Sequence, residues 1–170
     1  DVWVVPYGVD SGIYAPSMRE NNGAVRFLFV GAVRQMKGIS YLLEAFETVN
    51  PESAHLEIVG DCMIPDRLQH KNASNIEYLG YLLPETVANR YKDADVFVFP
   101  SLCDGFGLAA LEAMASGLPV ICSANSGVAD LIQDGVNGFV VETGDAGELR
   151  DRIVWFTEHR DRMKDMKRAA

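Results

Sequence analysis

Positive charge is scarce in this 170-residue sequence, which has 15 lysines and arginines against 24 aspartates and glutamates and a net charge of −9. Proteins that bind nucleic acid along its phosphate backbone need a basic face. The charge balance therefore argues against a nucleic-acid partner. It is compatible with a small anionic ligand, because a local basic pocket can form in an acidic protein.

Long hydrophobic runs and paired cysteines are also lacking. The longest apolar run, VFVFP, is far too short to span a bilayer, and the sequence shows no secretion signal. The three cysteines, Cys62, Cys103 and Cys122, are odd in number and have no C-x-x-C spacing. This pattern favours a reduced, cytoplasmic protein with buried thiols over a disulfide framework. Because the chain starts at Asp1, we expect it to be a piece of a longer protein.

What the sequence does have is an alternation of strand-like and helix-like segments. Apolar residues make up 48% and charged residues 23%, which is typical of one globular domain, here taken as residues 1–170. Short apolar runs predict strands at 25–31, 54–61, 76–80, 95–100, 119–123 and 138–142. Helical spacing predicts helices at 39–49, 83–94, 107–116 and from 146 onward, with a weak candidate at 64–71. The polar tail after about residue 158 is expected to fray or to dock onto another domain.

This alternation predicts an α/β fold, a Rossmann-like doubly wound parallel sheet of about six strands with helices on both faces. Ligands of such sheets bind outside the carboxyl ends of the strands, where loops lead into helices. Four loops are therefore candidates for a binding site, at 31–38, 60–65, 80–84 and 100–107.

The first of these loops, GAVRQMKG, carries two cations between two glycines. Gly31 ends a predicted strand, Gly38 opens a predicted helix, and Arg34 and Lys37 lie between them. Cations beside the exposed N–H groups of a helix start favour a diphosphate ligand. Solvated surface cations would give the same pattern, so the loop alone leaves both interpretations open. No G-x-x-x-x-G-K-[ST] motif is present, which excludes an ATPase-type phosphate loop.

The fourth loop belongs to the segment PSLCDGFGLAALEAMASGLPV, in which two acids bracket two glycines. Asp104 follows a predicted strand directly, and Glu112 lies one turn past the start of the predicted helix. Gly105 and Gly107 allow a ligand to approach the backbone closely. A carboxylate here can accept hydrogen bonds from two neighbouring hydroxyl groups, such as those of a ribose.

The string GFGLAA inside this segment also fits the dinucleotide-binding pattern G-x-G-x-x-G/A. That pattern belongs to the first strand–helix turn of its fold, with an acid at the end of the next strand. Here it follows about the fourth strand, and the next strand ends in ICSAN, without an acid. We interpret the match as accidental.

The whole chain resembles the donor-binding, carboxyl-terminal domain of the GT-B-fold retaining glycosyltransferases called glycosyltransferase group 1. The matching segments run in family order. They are VPYGVD, YAP, FLFVGAVRQMKGISYLLEAF, LEIVGD, IEYLGYL and YKDADVFVFPSLCDGFGLAALEAMASGLPVICSANSGVADLIQDGVNGFVVE. Many ordered matches of this kind are specific, although no single one would be.

The resemblance implies a role for each part of the glycine segment. The family's two acids, with seven residues between them, fall on Asp104 and Glu112. In the family the first contacts hydroxyls of the donor sugar and the second holds the nucleotide ribose. The N–H groups at the helix start that follows Gly105 would lie against the sugar and the diphosphate. They belong to Phe106, Gly107 and Leu108.

It also implies roles for two other loops. Lys37 matches a diphosphate ligand of the family, and Tyr81 and Leu82 would meet the base through their backbone. The segment NSGVAD, with Asp130, would border the cleft. The predicted catalytic residues are Asp104, Lys37 and Arg34, and the nucleotide-binding residues include Gly31 as well.

Two positions depart from the family pattern. The family usually has Glu where Asp104 stands, a side chain longer by one carbon–carbon bond, roughly 1.5 Å. It often has Arg where Ala32 stands, and we hypothesise that Arg34, two residues later, makes the diphosphate contact instead. These departures bear on sugar choice and on activity.

The implied ligand is a nucleoside-diphosphate sugar, such as a UDP- or GDP-sugar, with no cofactor and no metal. No His/Asp ligand cluster is visible in the sequence, and His55, His70 and His159 receive no role. The family's acceptor domain lies amino-terminal to this one, so the chain alone is expected to bind donor without transferring it. Any peripheral membrane association would be made by that other domain. Two alternatives remain open, a non-catalytic nucleotide-sugar binding module and a GT-B-like sugar-nucleotide epimerase.

Overall fold

A single parallel sheet organises the computed structural model, which describes residues 7–17, 21–65 and 73–170. Its strands are β1 (Val25–Val30), β2 (Ala54–Val59), β3 (Ile76–Gly80), β4 (Val96–Phe99), β5 (Val120–Ser123) and β6 (Gly138–Val141). They lie in the order β3-β2-β1-β4-β5-β6, and every neighbouring pair is parallel. This is the strand order of doubly wound sheets, in which the chain first winds to one side of β1 and then to the other.

Five helices cover the two faces of the sheet in the described part of the chain. They are α1 (Ile39–Glu47), α2 (Pro84–Asp93), α3 (Leu108–Ala115), α4 (Ala146–Glu158) and α5 (Arg160–Ala169). Short 3-10 turns occur at Gln35–Lys37 and Gly127–Leu131. Pro84 occupies the first turn of α2, where its missing N–H is not needed. Asp145 caps the start of α4, and its carboxylate accepts a hydrogen bond from the Glu148 N–H at 2.8 Å.

Alternate side chains of the strands build two separate cores. On one face, Phe27, Phe29 and Ile58 pack with apolar residues of α1, α4 and α5. On the other face, Phe97 and Phe99 pack with residues of α2 and α3. Side chains of consecutive strand residues point to opposite faces, so a strand buried on both sides needs apolar residues at every position. Its sequence is therefore a continuous apolar run. The predicted fold is confirmed, with strand and helix limits within two residues of the predicted ones.

The carboxyl-terminal tail is the main departure from the predicted architecture. It does not fray, because it forms α5 and packs Met163 and Met166 into the core of this same domain. Docking of its outer face onto another domain stays a prediction. The predicted weak helix at 64–71 falls mostly on residues 66–72, outside the described residues.

A buried carboxylate holds α5 in place. Asp95, only 3% exposed, accepts hydrogen bonds from the Asn21 amide at 2.7 Å and the Arg26 N–H at 3.0 Å. Its other oxygen pairs with Lys167 Nζ at 2.8 Å. A buried charge is tolerated when it is both paired and hydrogen-bonded, so Asp95 joins α5 to the amino end of β4.

The cysteines differ from the expectation of buried thiols. Only Cys122 is buried, and burial raises the pKa of its thiol to about 11. Cys62 and Cys103 are exposed, because both lie in loops beyond the carboxyl ends of strands. All three are free thiols. The cytoplasmic location stays a prediction.

None of the helices in the described ranges is long and apolar enough to cross a membrane.

The packing of α5 leads to a prediction about stability. Met166→Ala should lower the free energy of unfolding by about 2–5 kcal/mol, because it removes a side chain that is 2% exposed from the core. Met36→Ala is the matched control, since Met36 is 55% exposed, and should change it by less than about 0.5 kcal/mol. Urea unfolding followed by circular dichroism measures both. Equal, small effects would show that α5 does not contribute to the core.

Candidate functional site

A cleft opens at the carboxyl edge of the sheet, between the loops that follow β1 and β4. Its volume is about 640 Å³, in the range of small-molecule sites. It is lined by Tyr7, Val30, Gly31, Ala32, Lys37, Phe99, Asp104, Gly105, Phe106, Gly107, Leu108 and Ala109. Because β1 and β4 are neighbours whose helices lie on opposite faces, their loops separate and leave this space.

Lys37 is positioned by close contact between these two loops. The 3-10 turn that carries it ends at Gly38, which has φ of +70°. A Cβ atom at Gly38 would lie 1.8 Å from the carbonyl oxygen of Pro100, so only glycine fits. The Met36 carbonyl accepts a hydrogen bond from the Leu102 N–H at 2.9 Å. The first loop is therefore fixed against the loop that follows β4.

Lys37 and Asp104 form an ion pair inside the cleft. Both side chains are largely buried, with 22% and 17% of their surface exposed. The ammonium group also lies over the ring of Phe99, 5.5 Å from its centroid, a cation–π contact. The cleft thus holds a shielded cation whose protein partner is a carboxylate.

The Asp104 loop is braced by the loop that follows β5. The other carboxylate oxygen of Asp104 accepts a hydrogen bond from the Phe106 N–H at 3.2 Å. The Asp104 backbone bonds to the Asn125 carbonyl at 3.3 Å and to the Gly127 N–H at 3.2 Å. A Cβ at Gly127 would lie 2.4 Å from the Gly105 carbonyl oxygen, so the two loops are in direct backbone contact.

Helix α3 points its amino end into the cleft. Within the described part of the chain, the N–H groups of Gly107 and Leu108 have no hydrogen-bond acceptor. Free N–H groups at a helix start carry partial positive charge and bind anions. Together with Lys37 they make this end of the cleft suited to a phosphate group.

Glu112, the second acid of the segment, lies one turn further along α3. Its carboxylate accepts a hydrogen bond from the hydroxyl of the buried Tyr91 at 3.0 Å, and the Tyr14 phenol lies nearby. Burial and the Glu112 charge raise the pKa of Tyr14 to about 12 and that of Tyr91 well above its usual value. The two phenols therefore remain protonated donors throughout the neutral range.

The structure brings most of the residues predicted from the sequence into one cleft. These are Gly31, Lys37, Asp104, Gly105, Phe106, Gly107 and Leu108. Four others lie outside its lining. Arg34 is exposed to solvent; Tyr81, on the loop after the edge strand β3, is 67% exposed; Leu82 packs against the core; and Glu112 faces the two tyrosines.

Several lining residues had no role in the sequence interpretation. Tyr7 packs on Phe106 with ring centroids 5.2 Å apart, and Phe99 forms the floor beneath Lys37. The rest are small or aliphatic: Val30, Ala32 and Ala109. Tyr7 belongs to the quoted segment VPYGVD, which was the available signal. Phe99 lies within a predicted strand, and nothing in the sequence distinguishes it from the other apolar residues there.

A second group of polar side chains lies toward the amino ends of β2 and β3. His55, Glu57 and Glu77 place potential metal-ligand atoms within 4.8 Å of one another. Glu57 already has a charged partner outside the group, because it lies 3.6 Å from Arg90. Within the group, His55 lies 3.5 Å from Glu77. The sequence did not suggest this group, because parallel register brings together residues about 20 positions apart.

Comparison with known families agrees with the fold. The protein belongs to the family of glycosyl transferases group 1, whose sequence model matches residues 13–170. Among curated relatives it is similar to D-inositol 3-phosphate glycosyltransferase of Geodermatophilus obscurus, with 34% identity over 174 residues. That alignment covers 88% of this chain and 39% of the relative, so the chain spans well under half the length of that relative.

Solved structures show the same fold. The C-terminal domain of the group 1 glycosyl transferase LpcC from Francisella tularensis superposes with a TM-score of 0.84 at 23% identity, covering 95% of this chain and 94% of that one. HepE from Anabaena, solved in complex with UDP and glucose, superposes with a TM-score of 0.81 at 21% identity, covering 95% of this chain and 49% of that one. The chain thus corresponds in extent to the carboxyl-terminal domain of a GT-B glycosyltransferase.

The conformation of Gly107 predicts a local sensitivity in the cleft. Gly107→Ala should lower the free energy of unfolding by about 1–3 kcal/mol, because φ is +91° and a Cβ would lie 2.8 Å from the Phe99 ring. The control is Gly105→Ala, where a Cβ has open space and φ is not positive. Chemical denaturation of the two variants compares them. Equal stabilities would contradict the observed geometry of the loop.

Proposed function

We propose that this domain binds a nucleoside-diphosphate sugar and that the full-length protein transfers the sugar, with retention, to an acceptor. The observation that carries the proposal is that Lys37 and the free N–H groups at the start of α3 line the same cleft. Membership of the glycosyl transferases group 1 family supports it, as does the complex of the similar HepE with UDP and glucose.

The diphosphate would bind between Lys37 and the amino end of α3. Lys37 would exchange its carboxylate partner, Asp104, for phosphate oxygens, and the N–H groups of Gly107 and Leu108 would donate to the same group. Cleavage of the anomeric bond builds negative charge on the departing diphosphate. A fixed cation and fixed N–H dipoles stabilise that charge more than they stabilise the bound donor, which accelerates the reaction.

The other donor groups would follow from this placement. Asp104, in the loop between β4 and α3, would contact hydroxyls of the sugar, and Glu112 would accept hydrogen bonds from the ribose. Tyr81 and Leu82 would meet the base through their backbone. We further propose that no metal takes part, since Lys37 and the helix start supply the positive charge that a leaving diphosphate requires.

The acceptor would be bound by an amino-terminal domain outside this chain. In that arrangement the reaction takes place between two domains, and the chain alone holds donor without transferring it. The coverage of 49% of the HepE chain supports a second domain of similar size. Transfer by the full-length protein would separate a glycosyltransferase from a binding module or an epimerase.

Donor binding can be tested with the chain as it is. UDP, GDP, ADP and their glucose or mannose derivatives should be compared by thermal shift at millimolar concentration, with EDTA and with Mg²⁺. One nucleoside diphosphate should raise the midpoint of unfolding, to the same extent in both buffers, because binding to the folded state stabilises it. If none of them raises it, the donor site does not exist.

The identity of the diphosphate-binding cation can be tested by two substitutions. Lys37→Gln should weaken binding of the preferred nucleoside diphosphate by about tenfold to a hundredfold, because a charged hydrogen bond in a shielded cleft is lost. Arg34→Gln should weaken it by less than about fivefold, because Arg34 is exposed. Titration calorimetry measures both. A loss as large at Arg34 as at Lys37 would establish Arg34 as a diphosphate ligand.

A further inference from the structure

Two tyrosines from separate parts of the chain converge on the carboxylate of Glu112. Tyr91, on α2, is fully buried, and its hydroxyl donates to Glu112 Oε2 at 3.0 Å. Tyr14, in the segment before β1, packs edge-on against the Tyr91 ring, with centroids 5.7 Å apart, and its phenol lies near the same carboxylate. A third ring, Phe97, lies 5.6 Å from Tyr91 and helps fix it.

This arrangement restricts a side chain that would otherwise be mobile. A glutamate on a helix surface has three rotatable bonds, and ordering it on binding costs free energy. The hydrogen bond from Tyr91, with Tyr14 packed beside it, holds the Glu112 carboxylate in one orientation before a ligand arrives. An ionised carboxylate has about four acceptor positions, so it can accept this bond and still accept two hydroxyl groups.

We propose that Tyr91, assisted by Tyr14, is a positioning residue that fixes the Glu112 carboxylate to receive the two hydroxyl groups of the donor ribose. The inference rests on the proposed function, and it adds residues of α2 and of the segment before β1 to the determinants of nucleotide binding. Burial around Tyr91 and the nearby Glu112 charge keep the phenol pKa values high, so both hydroxyls act as donors.

A purely structural role for Tyr91 makes a different prediction. Its hydroxyl also lies 3.0 Å from the Ala109 carbonyl oxygen and can donate its one proton there instead, which would join α2 to α3 without Glu112. Loss of that link alone would weaken every nucleotide equally. Loss of carboxylate positioning would weaken only those nucleotides that present ribose hydroxyls.

The experiment compares the preferred nucleoside diphosphate with its 2′,3′-dideoxy counterpart by titration calorimetry. Tyr91→Phe should weaken binding of the ribonucleotide by about fivefold to tenfold and leave the dideoxy form unchanged. In a Glu112→Ala background, which itself should lose most ribonucleotide affinity, Tyr91→Phe should have no further effect on either ligand. Tyr14→Phe, at a partly exposed position, should show the same selectivity with a smaller loss.

The matched control is Tyr78→Phe. The Tyr78 hydroxyl is buried, has no hydrogen-bond partner among the described residues and does not touch Glu112. This variant should bind both ligands as the parent does. Melting temperatures establish that each variant is folded, and Tyr14→Phe provides the test if Tyr91→Phe is not.

The possible results are distinct. Equal weakening of both ligands by Tyr91→Phe, or no weakening of either, overturns the positioning role while the donor site stands. Additive effects of Tyr91→Phe and Glu112→Ala overturn it as well. If the parent chain binds no nucleoside diphosphate at all, the proposed function fails, and this inference fails with it.

Discussion

The reversal of strand order at β1 is the constraint on which the rest of the structure depends. β1 pairs with β2 on one side and with β4 on the other, so the chain leaves these two central strands toward opposite faces. A gap at their carboxyl ends is therefore built into the topology. With the exception of Tyr7, every residue that lines the cleft ends one of these strands or follows it in the chain. The strand order therefore determines where the cleft lies, and the side chains determine what it binds.

The sequence predicted most of this architecture, because each buried strand appears as a short apolar run and each helix has a clear apolar face. It did not predict α5. That helix buries only Met163 and Met166 among many charged residues, and it is held by a pairing between Lys167 and Asp95, which are 72 positions apart. Local patterns carry no information about such a distant partner, so a polar helix held by tertiary contacts looks like a fraying tail.

The candidate site shows the same division. Motif spacing placed Lys37 and Asp104 at the correct edge of the sheet, but their direct pairing depends on how two loops pack and could not be derived from spacing. The same limit applies to Arg34, which is near Lys37 in sequence yet exposed outside the cleft lining. In the sequence, Tyr14 and Tyr91 resemble ordinary aromatic residues of a core, and only the three-dimensional arrangement shows both phenols beside one carboxylate.

The contact between Lys37 and Asp104 has a consequence for how long a ligand stays. A lysine that already has a carboxylate partner gains less from a diphosphate than an unpaired lysine would, because one ion pair replaces another. The exchange also runs in reverse, since Asp104 remains beside Lys37 and can take it back as the diphosphate departs. In the proposed reaction, this exchange of partners would shorten the time that the spent nucleotide stays bound and so raise the rate of turnover. An acid at position 104 would then serve the end of the catalytic cycle as well as its beginning.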